Sequence, residues 1–219
     1  MKELYILDFS GMATQEGFAA KRATTLGFTS LEGTSLYCDK EAAGAIRETL
    51  KSLSPGGIHW IDTGDYHYAT LFFLEKIDED FELVLLDNHP DDQSTAFDEE
   101  MLSCGSWVKE ARKNLPHLKS DFWIRKADDP RPSAGGLPVY ISIDKDVLSE
   151  EYARTDWDQG EMKLEELSEI IRGISGGRRI LGIDVCGGKT LAKGASGEDL
   201  RINLEADLKI LALCSACCM

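Results

Sequence analysis

Short apolar runs alternate with amphipathic stretches along most of the chain. Runs of Val, Ile, Leu and aromatic residues at 4–7, 58–61, 81–86, 139–143 and 180–185 read as buried strands, and 121–125 as a shorter one. Between them apolar positions recur at helical spacing. Residues 40–53 place Ala45, Ile46, Leu50 and Leu53 on one face and stop at Pro55-Gly56-Gly57, and residues 67–77 present Tyr68, Leu71, Phe72 and Ile77. Met162, Leu164, Leu167, Ile170, Ile171 and Ile174 mark a further helix closed by Gly176-Gly177, and a terminal helix begins at Asn203 with Leu204, Leu208 and Leu211 in phase. Apolar strands separated by amphipathic helices predict a three-layer α/β/α fold with a mostly parallel central sheet, as one domain over 1–219. No pattern is legible over 10–34. Residues 128–138, with three prolines and two glycines, predict an ordered turn or a flap.

Charge narrows the function. The 219 residues hold 24 Lys plus Arg against 39 Asp plus Glu, a formal net charge of -15. Such a surface repels phosphate backbones and anionic lipid, which argues against nucleic-acid and membrane partners and for a cationic or metal-bound ligand. No apolar run approaches the roughly 20 residues of a membrane span, and Glu3 and Asp8 interrupt any signal-peptide core, so a cytoplasmic location is expected. There the six cysteines, Cys38, Cys104, Cys186, Cys214, Cys217 and Cys218, are expected as reduced thiols. Cys214, Cys217 and Cys218 lack a second Cys/His pair and read as small buried hydrophobes rather than zinc ligands.

Five of the apolar runs end in aspartate: Asp8, Asp62, Asp87, Asp144 and Asp184. In a parallel sheet these carboxylates share the carboxyl edge, where open α/β sheets place their ligands. Carboxylates so crowded need protons or a cation, and apart from Lys145 no basic residue lies among them. Asp8 or Asp62 singly is explained as a helix cap. The run Asp87-Asn88-His89-Pro90-Asp91 is not, because alternate residues of an extended chain point Asp87, His89 and Asp91 to one side. Asp144-Lys145-Asp146 repeats the device, and Gly64-Asp65-Tyr66-His67 delivers His67 to the start of the next helix. The candidate metal ligands are therefore His67, Asp87, His89, Asp91, Asp144 and Asp146, whose four carboxylates balance two divalent cations. An oxygen-rich set with two imidazoles favours manganese, then magnesium or ferrous iron, ahead of structural zinc. His59 reads as a core histidine and His117 as a loop residue.

These motifs resemble, in their order and in their complete set of six ligands, those of the arginase, agmatinase and formimidoylglutamase family of ureohydrolases, whose fold is shared with metal-dependent deacetylases. The family carries a G-G-D-H strand end, a D-x-H-x-D run and an S-x-D-x-D-x-x-D-P segment. They correspond to Gly64-Asp65-Tyr66-His67, to Asp87 through Asp91, and to Ser142 through Leu148. A turn over 155–160 is similar to the family's segment after the last metal ligands. The resemblance implies a binuclear manganese site whose hydroxide attacks a guanidinium or amidinium carbon of a small cationic or polar nitrogen compound. It implies that His67, Asp87, Asp91 and Asp146 hold one metal and Asp87, His89, Asp144 and Asp146 the other. Asp91 would also orient the hydroxide, and Asp184 would match the acid of the family's last-strand D-x-x-E. A homo-oligomer is compatible with it.

The chain also departs from the family. One residue is inserted between Asp65 and His67, Cys104 stands at the family's proton-transferring histidine, and Gly187 stands at its guanidinium-reading glutamate. The chain is shorter than typical members. The expected activity is hydrolysis of linear C–N bonds in a guanidino or amidino compound, with catalytic roles for Asp91, Cys104 and Asp184. Deacetylase-like amide hydrolysis and noncatalytic metal binding are the alternatives. A calcineurin-like phosphoesterase carries its D-x-H element before its G-D element, the reverse of the order here.

Overall fold

The computed structural model describes residues 3–18, 23–94 and 101–217. In chain order the strands are β1 (Leu4–Asp8), β2 (Ala23–Gly27), β3 (Tyr37–Cys38), β4 (Ile58–Ile61), β5 (Phe81–Leu86), β6 (Leu102–Ser103), β7 (Leu118–Ile124), β8 (Val139–Asp144) and β9 (Ile180–Cys186). The helices are α1 (Met12–Glu16), α2 (Lys40–Leu50), α3 (Ala69–Leu74), α4 (Trp107–Asn114), α5 (Leu164–Ser175) and α6 (Gly197–Cys217). Seven strands form one sheet in the order β2-β1-β4-β9-β8-β5-β7, with all neighbours parallel, and β3 and β6 pair antiparallel beside it. Among the described residues no helix is long and apolar enough to cross a membrane.

Alternation along each central strand divides its side chains between two cores. Leu83 and Leu85 of β5 join Ile46, Leu50, Phe72, Phe73 and Trp107 of α2, α3 and α4 on one face of the sheet. Val84 and Leu86 join Leu167, Ile171, Ile210 and Leu213 of α5 and α6 on the other. Both faces are covered, which is why the strands read as continuous apolar runs rather than as an alternating pattern. Each fully buried Leu or Ile contributes about 1.5–3 kcal/mol, so the stripe of α5 alone holds the layer firmly.

The elements missing from the sequence pattern lie at the edges. β2 is an edge strand with Thr24 and Thr25 exposed, and α4 buries only Trp107, Val108 and Ala111. The other edge strand, β7, starts three residues earlier than its predicted 121–125, over a half-exposed stretch that pairs only with β5. The last helix starts at Gly197 rather than Asn203, because Ser196 caps it: its Oγ accepts from Asp199 N at 3.1 Å while Asp199 Oδ2 accepts from Ser196 N at 2.8 Å. Cys214 is buried in the α5–α6 core and Cys217 packs against it, as small hydrophobes do; Cys218 lies outside the described residues.

Candidate metal centre

Four adjacent strands, β4, β9, β8 and β5, end beneath one cleft. Beyond β4 a 3-10 turn over Gly64–Tyr66 leads to His67, which becomes fully buried. Beyond β5 the chain continues through Asp87, His89 and Asp91. It is not extended there, as the alternation argument assumed: Asp91 takes a left-handed conformation, φ 47°. That backbone is unfavourable for a side-chain-bearing residue. Helix α4 holds it in place, with Trp107 Nε1 donating to Asp91 Oδ2 at 2.6 Å and Val108 N donating to Asp91 O at 3.0 Å.

The six sequence-predicted ligands converge. His67 Nδ1 lies 3.0 Å from Asp91 Oδ2, 3.2 Å from Asp87 Oδ2 and 3.7 Å from Asp144 Oδ2, while its Nε2 is 2.8 Å from Ser142 Oγ. With Nε2 engaged by Ser142, Nδ1 is the nitrogen that faces the carboxylates, the orienting role that partners of metal-bound histidines play. His89 Nδ1 lies 2.8 Å from Asp146 Oδ2 and 3.7 Å from Asp87 Oδ1. Three groups with ligand atoms within 4.8 Å of one another follow among the described residues: His67 with Asp87 and Asp91, Asp87 with His89 and Asp146, and His67 with Asp144 and Cys186.

Asp144 lies beside His67 rather than beside His89 as the resemblance implied, and Asp146, implied for both positions, lies beside His89. Asp144 stays in β8, in register with Cys186, and faces His67; the 3-10 turn Lys145–Val147 then swings Asp146 toward β5, where its Oδ1 accepts from Asn88 N at 3.0 Å.

Electrostatics show why this arrangement fits cations. Burial, followed by the charge of Asp146, pushes the Asp144 carboxyl up to about 6, and burial, followed by Asp87, does the same to Asp146. Asp87 and Asp91 are raised as well, again by burial first. The hydrogen bonds to Asp146 and Asp87 raise His89 to about 10. A divalent ion on these donors would relieve the carboxylate repulsion and replace the imidazolium protons, and the donor set suits it.

The other expected residues fare differently. Cys104 does line the cleft, but burial first and then Asp91 push its thiol up to about 12, so it stays neutral where an imidazole would carry protons. Asp184 does not reach the cleft. It lies two residues before the end of β9 and accepts from Tyr140 Oη at 2.6 Å, with His59 Nδ1 2.8 Å away, in a fully buried network under Phe73. The DVC strand end therefore presents Cys186 at the edge instead. Asp8 and Asp62 hold the loop after β1, through Gly11 N on Asp8 and through Phe9 N and Ser10 N on Asp62. Asp65, the residue next to the insertion, ties the rim together: it accepts from Lys193 Nζ at 2.6 Å and Trp157 Nε1 at 3.2 Å.

The cavity of about 180 Å³ above the ligands is walled by Leu36, Tyr37, Gln93, Ser103, Cys104 and Trp157. Trp107 and Trp157 carry no motif and were not found from sequence. Cys186 was within reach of it, since it lies two residues after Asp184 on the same strand face. The glycine at position 187 is required by this chain's own backbone. Gly187 has φ 95°, and a Cβ there would lie 2.4 Å from Asp144 Oδ1 and 2.8 Å from Lys145 N, so no carboxylate-bearing residue fits.

No model of a known protein family matches the chain. An uncharacterized protein of Thermotoga maritima is 33% identical over 199 residues, covering 84% of this chain and 79% of that one. The chain belongs to one family with that protein. Its fold is the ureohydrolase fold, as the motifs implied. The proclavaminate amidino hydrolase of Streptomyces clavuligerus superposes with a TM-score of 0.68 at 15% identity, covering 100% of this chain and 93% of that one. The arginase of Medicago truncatula superposes with a TM-score of 0.67 at 13% identity, covering 99% and 87%.

Proposed function

We propose that this ureohydrolase-fold chain is a metal-dependent hydrolase of linear C–N bonds in a small guanidino or amidino compound. The observation that carries the reading is the convergence of six ligands, five of them buried and His89 half-buried, from the ends of β4, β5 and β8: two groups share Asp87, and Asp144 joins them through His67. His67, Asp87, Asp91 and Asp144 would hold one divalent cation and Asp87, His89 and Asp146 the other. Manganese is the ion best matched to the oxygen-rich second group. Such a pair, when bound, supplies an acidified water and would stabilise the charge on the heteroatoms of the tetrahedral species formed at the attacked carbon.

The chain's own residues supply the rest. Asp91, fixed by Trp107, stands at the cleft with a carboxylate that takes up and passes on a proton. Trp157 and Tyr37 narrow the entrance and limit water. Cys104 contributes wall, not proton transfer. A guanidinium is not read at position 187, and this favours a second reading on the same site, deacetylase-like hydrolysis of an amide.

The test is elemental analysis of protein reconstituted with manganese, followed by turnover assays on guanidino compounds and on acetylated amines. About two equivalents with release of urea or an amidine-derived amine supports the first reading, and release of acetate alone supports the second. Retention of metal with no turnover on either panel makes the chain a noncatalytic binding homologue. No retained metal overturns all three.

A further inference from the structure

We propose that Cys186 is itself a metal ligand, giving the cation position on His67 and Asp144 a mixed nitrogen, oxygen and sulfur shell that selects a thiophilic ion such as zinc or ferrous iron. The proposal rests on the metal-centre reading above and adds to it a donor that the motif resemblance did not contain.

Three observations meet at this residue. The parallel register of β8 and β9 pairs Asp144 with Cys186, so the two side chains leave the sheet together at its carboxyl edge. The Cys186 thiol donates to Asp144 Oδ2 at 3.1 Å, the same oxygen that lies 3.7 Å from His67 Nδ1. His67, Asp144 and Cys186, all buried, offer donor atoms within 4.8 Å of one another. Two donors on one zinc ion can be at most about 4.3 Å apart, the sum of a Zn–S and a Zn–N bond, so the three atoms already sit near coordinating distance. Gly187, next in the chain, also runs close to Asp144, since a Cβ at that position would lie 2.4 Å from Asp144 Oδ1.

The chemistry follows from donor softness. A thiolate and an imidazole favour zinc or ferrous iron over manganese, whereas Asp87, His89 and Asp146 are hard donors suited to manganese or magnesium. The centre would then hold two different ions. On binding, the Cys186 proton passes to solvent and the sulfur lone pair goes to the metal.

Cobalt(II) substitution gives a readout independent of turnover. The wild-type chain and Cys104→Ala should show a thiolate-to-cobalt charge-transfer band in the near ultraviolet, and Cys186→Ser should lose it. In the same variant zinc affinity should fall more than about 100-fold, beyond the range for a residue that only orients a ligand, while manganese affinity at the other position holds. X-ray absorption of the zinc-loaded wild-type chain needs no variant and should show sulfur at about 2.3 Å. Cobalt retained without the band, a band that survives in Cys186→Ser, or zinc without a sulfur neighbour overturns the proposal and leaves the metal centre standing. A chain that retains neither cobalt nor zinc overturns both.

Discussion

The turn Asp144-Lys145-Asp146 is buried in charge on both sides, and the two sides are resolved differently. On the α6 side, Lys145 Nζ lies 2.5 Å from Asp207 Oδ1, with both side chains fully buried and Glu16 of α1 beside them. There one amine faces two carboxylates. Burial, opposed by Lys145 and reinforced by Asp207, pushes Glu16 up to about 8, so Glu16 keeps its proton at neutral pH and the cluster is neutral from within. On the cleft side four carboxylates face two imidazoles, and no amine or guanidinium lies among the ligands. Consecutive residues thus enter one cluster that the chain completes itself and another that calls for ions from outside. A buried acidic cluster indicates a site when the chain supplies too few cations to balance it, and a structural anchor when the chain balances it from within.

The largest effect that separates the two sides is on metal retention. Asp144→Asn should lower the affinity for divalent cations more than about 100-fold, beyond the range for residues that only orient ligands, and leave Lys145 and Asp207 paired. Titration followed by elemental analysis checks this, and retention at wild-type affinity would place Asp144 outside the centre. Next in size is the anchor. Lys145→Met leaves Asp207 buried without its partner and should destabilise the metal-free chain by about 3–5 kcal/mol in urea unfolding, and adding Asp207→Leu should restore most of that loss. If the double variant is as unstable as the single, the pair is not the anchor described. Third, manganese at about 100 times its dissociation constant should add about 2.7 kcal/mol to the stability of the wild-type chain and less than about 1 kcal/mol to Asp146→Asn, which removes a ligand of the position that suits manganese, read as a shift in thermal midpoint.

The central sheet and the cleft-side ligands were legible in the sequence because strands covered on both faces are uninterrupted apolar runs, and polar residues crowded just past such runs stand out. β4, β5, β8 and β9 are continuous apolar runs, and the residues just beyond three of them are the ligands. Legibility failed wherever a residue's place depends on a partner distant in sequence. Asp184 shares its strand-end signature with Asp144, but β9 runs two residues further, so its carboxylate meets His59 and Tyr140 in the core and Cys186 takes the edge. Trp107 fixes Asp91 from 16 residues away without any motif. β2 exposes Thr24 and Thr25, and α4 buries only Trp107, Val108 and Ala111, too short an apolar stripe to stand out. Lys145 was read only as the one cation among the strand ends; its partner Asp207 is 62 residues further along, on a helix whose predicted face was purely apolar.

The smallest effect probes the anchor's proton. Glu16 has a folded pKa near 8 against an ordinary value of 4.5, because burial disfavours its charge. Between those two values the folded chain holds a proton that the unfolded chain has released, so stability falls as pH rises through the window and the penalty is absent below about 4.5. Glu16→Gln removes the titration while keeping a similar shape. Relative to wild type it should be near neutral at the acid end of the window and stabilising by about 1–3 kcal/mol at its alkaline end, measured by urea unfolding at both. A difference of the opposite slope would mean that Glu16 is ionised in the folded chain and shares Lys145 with Asp207. The α6 side would then carry excess negative charge as the cleft side does, and lack of an internal cation would no longer distinguish the two.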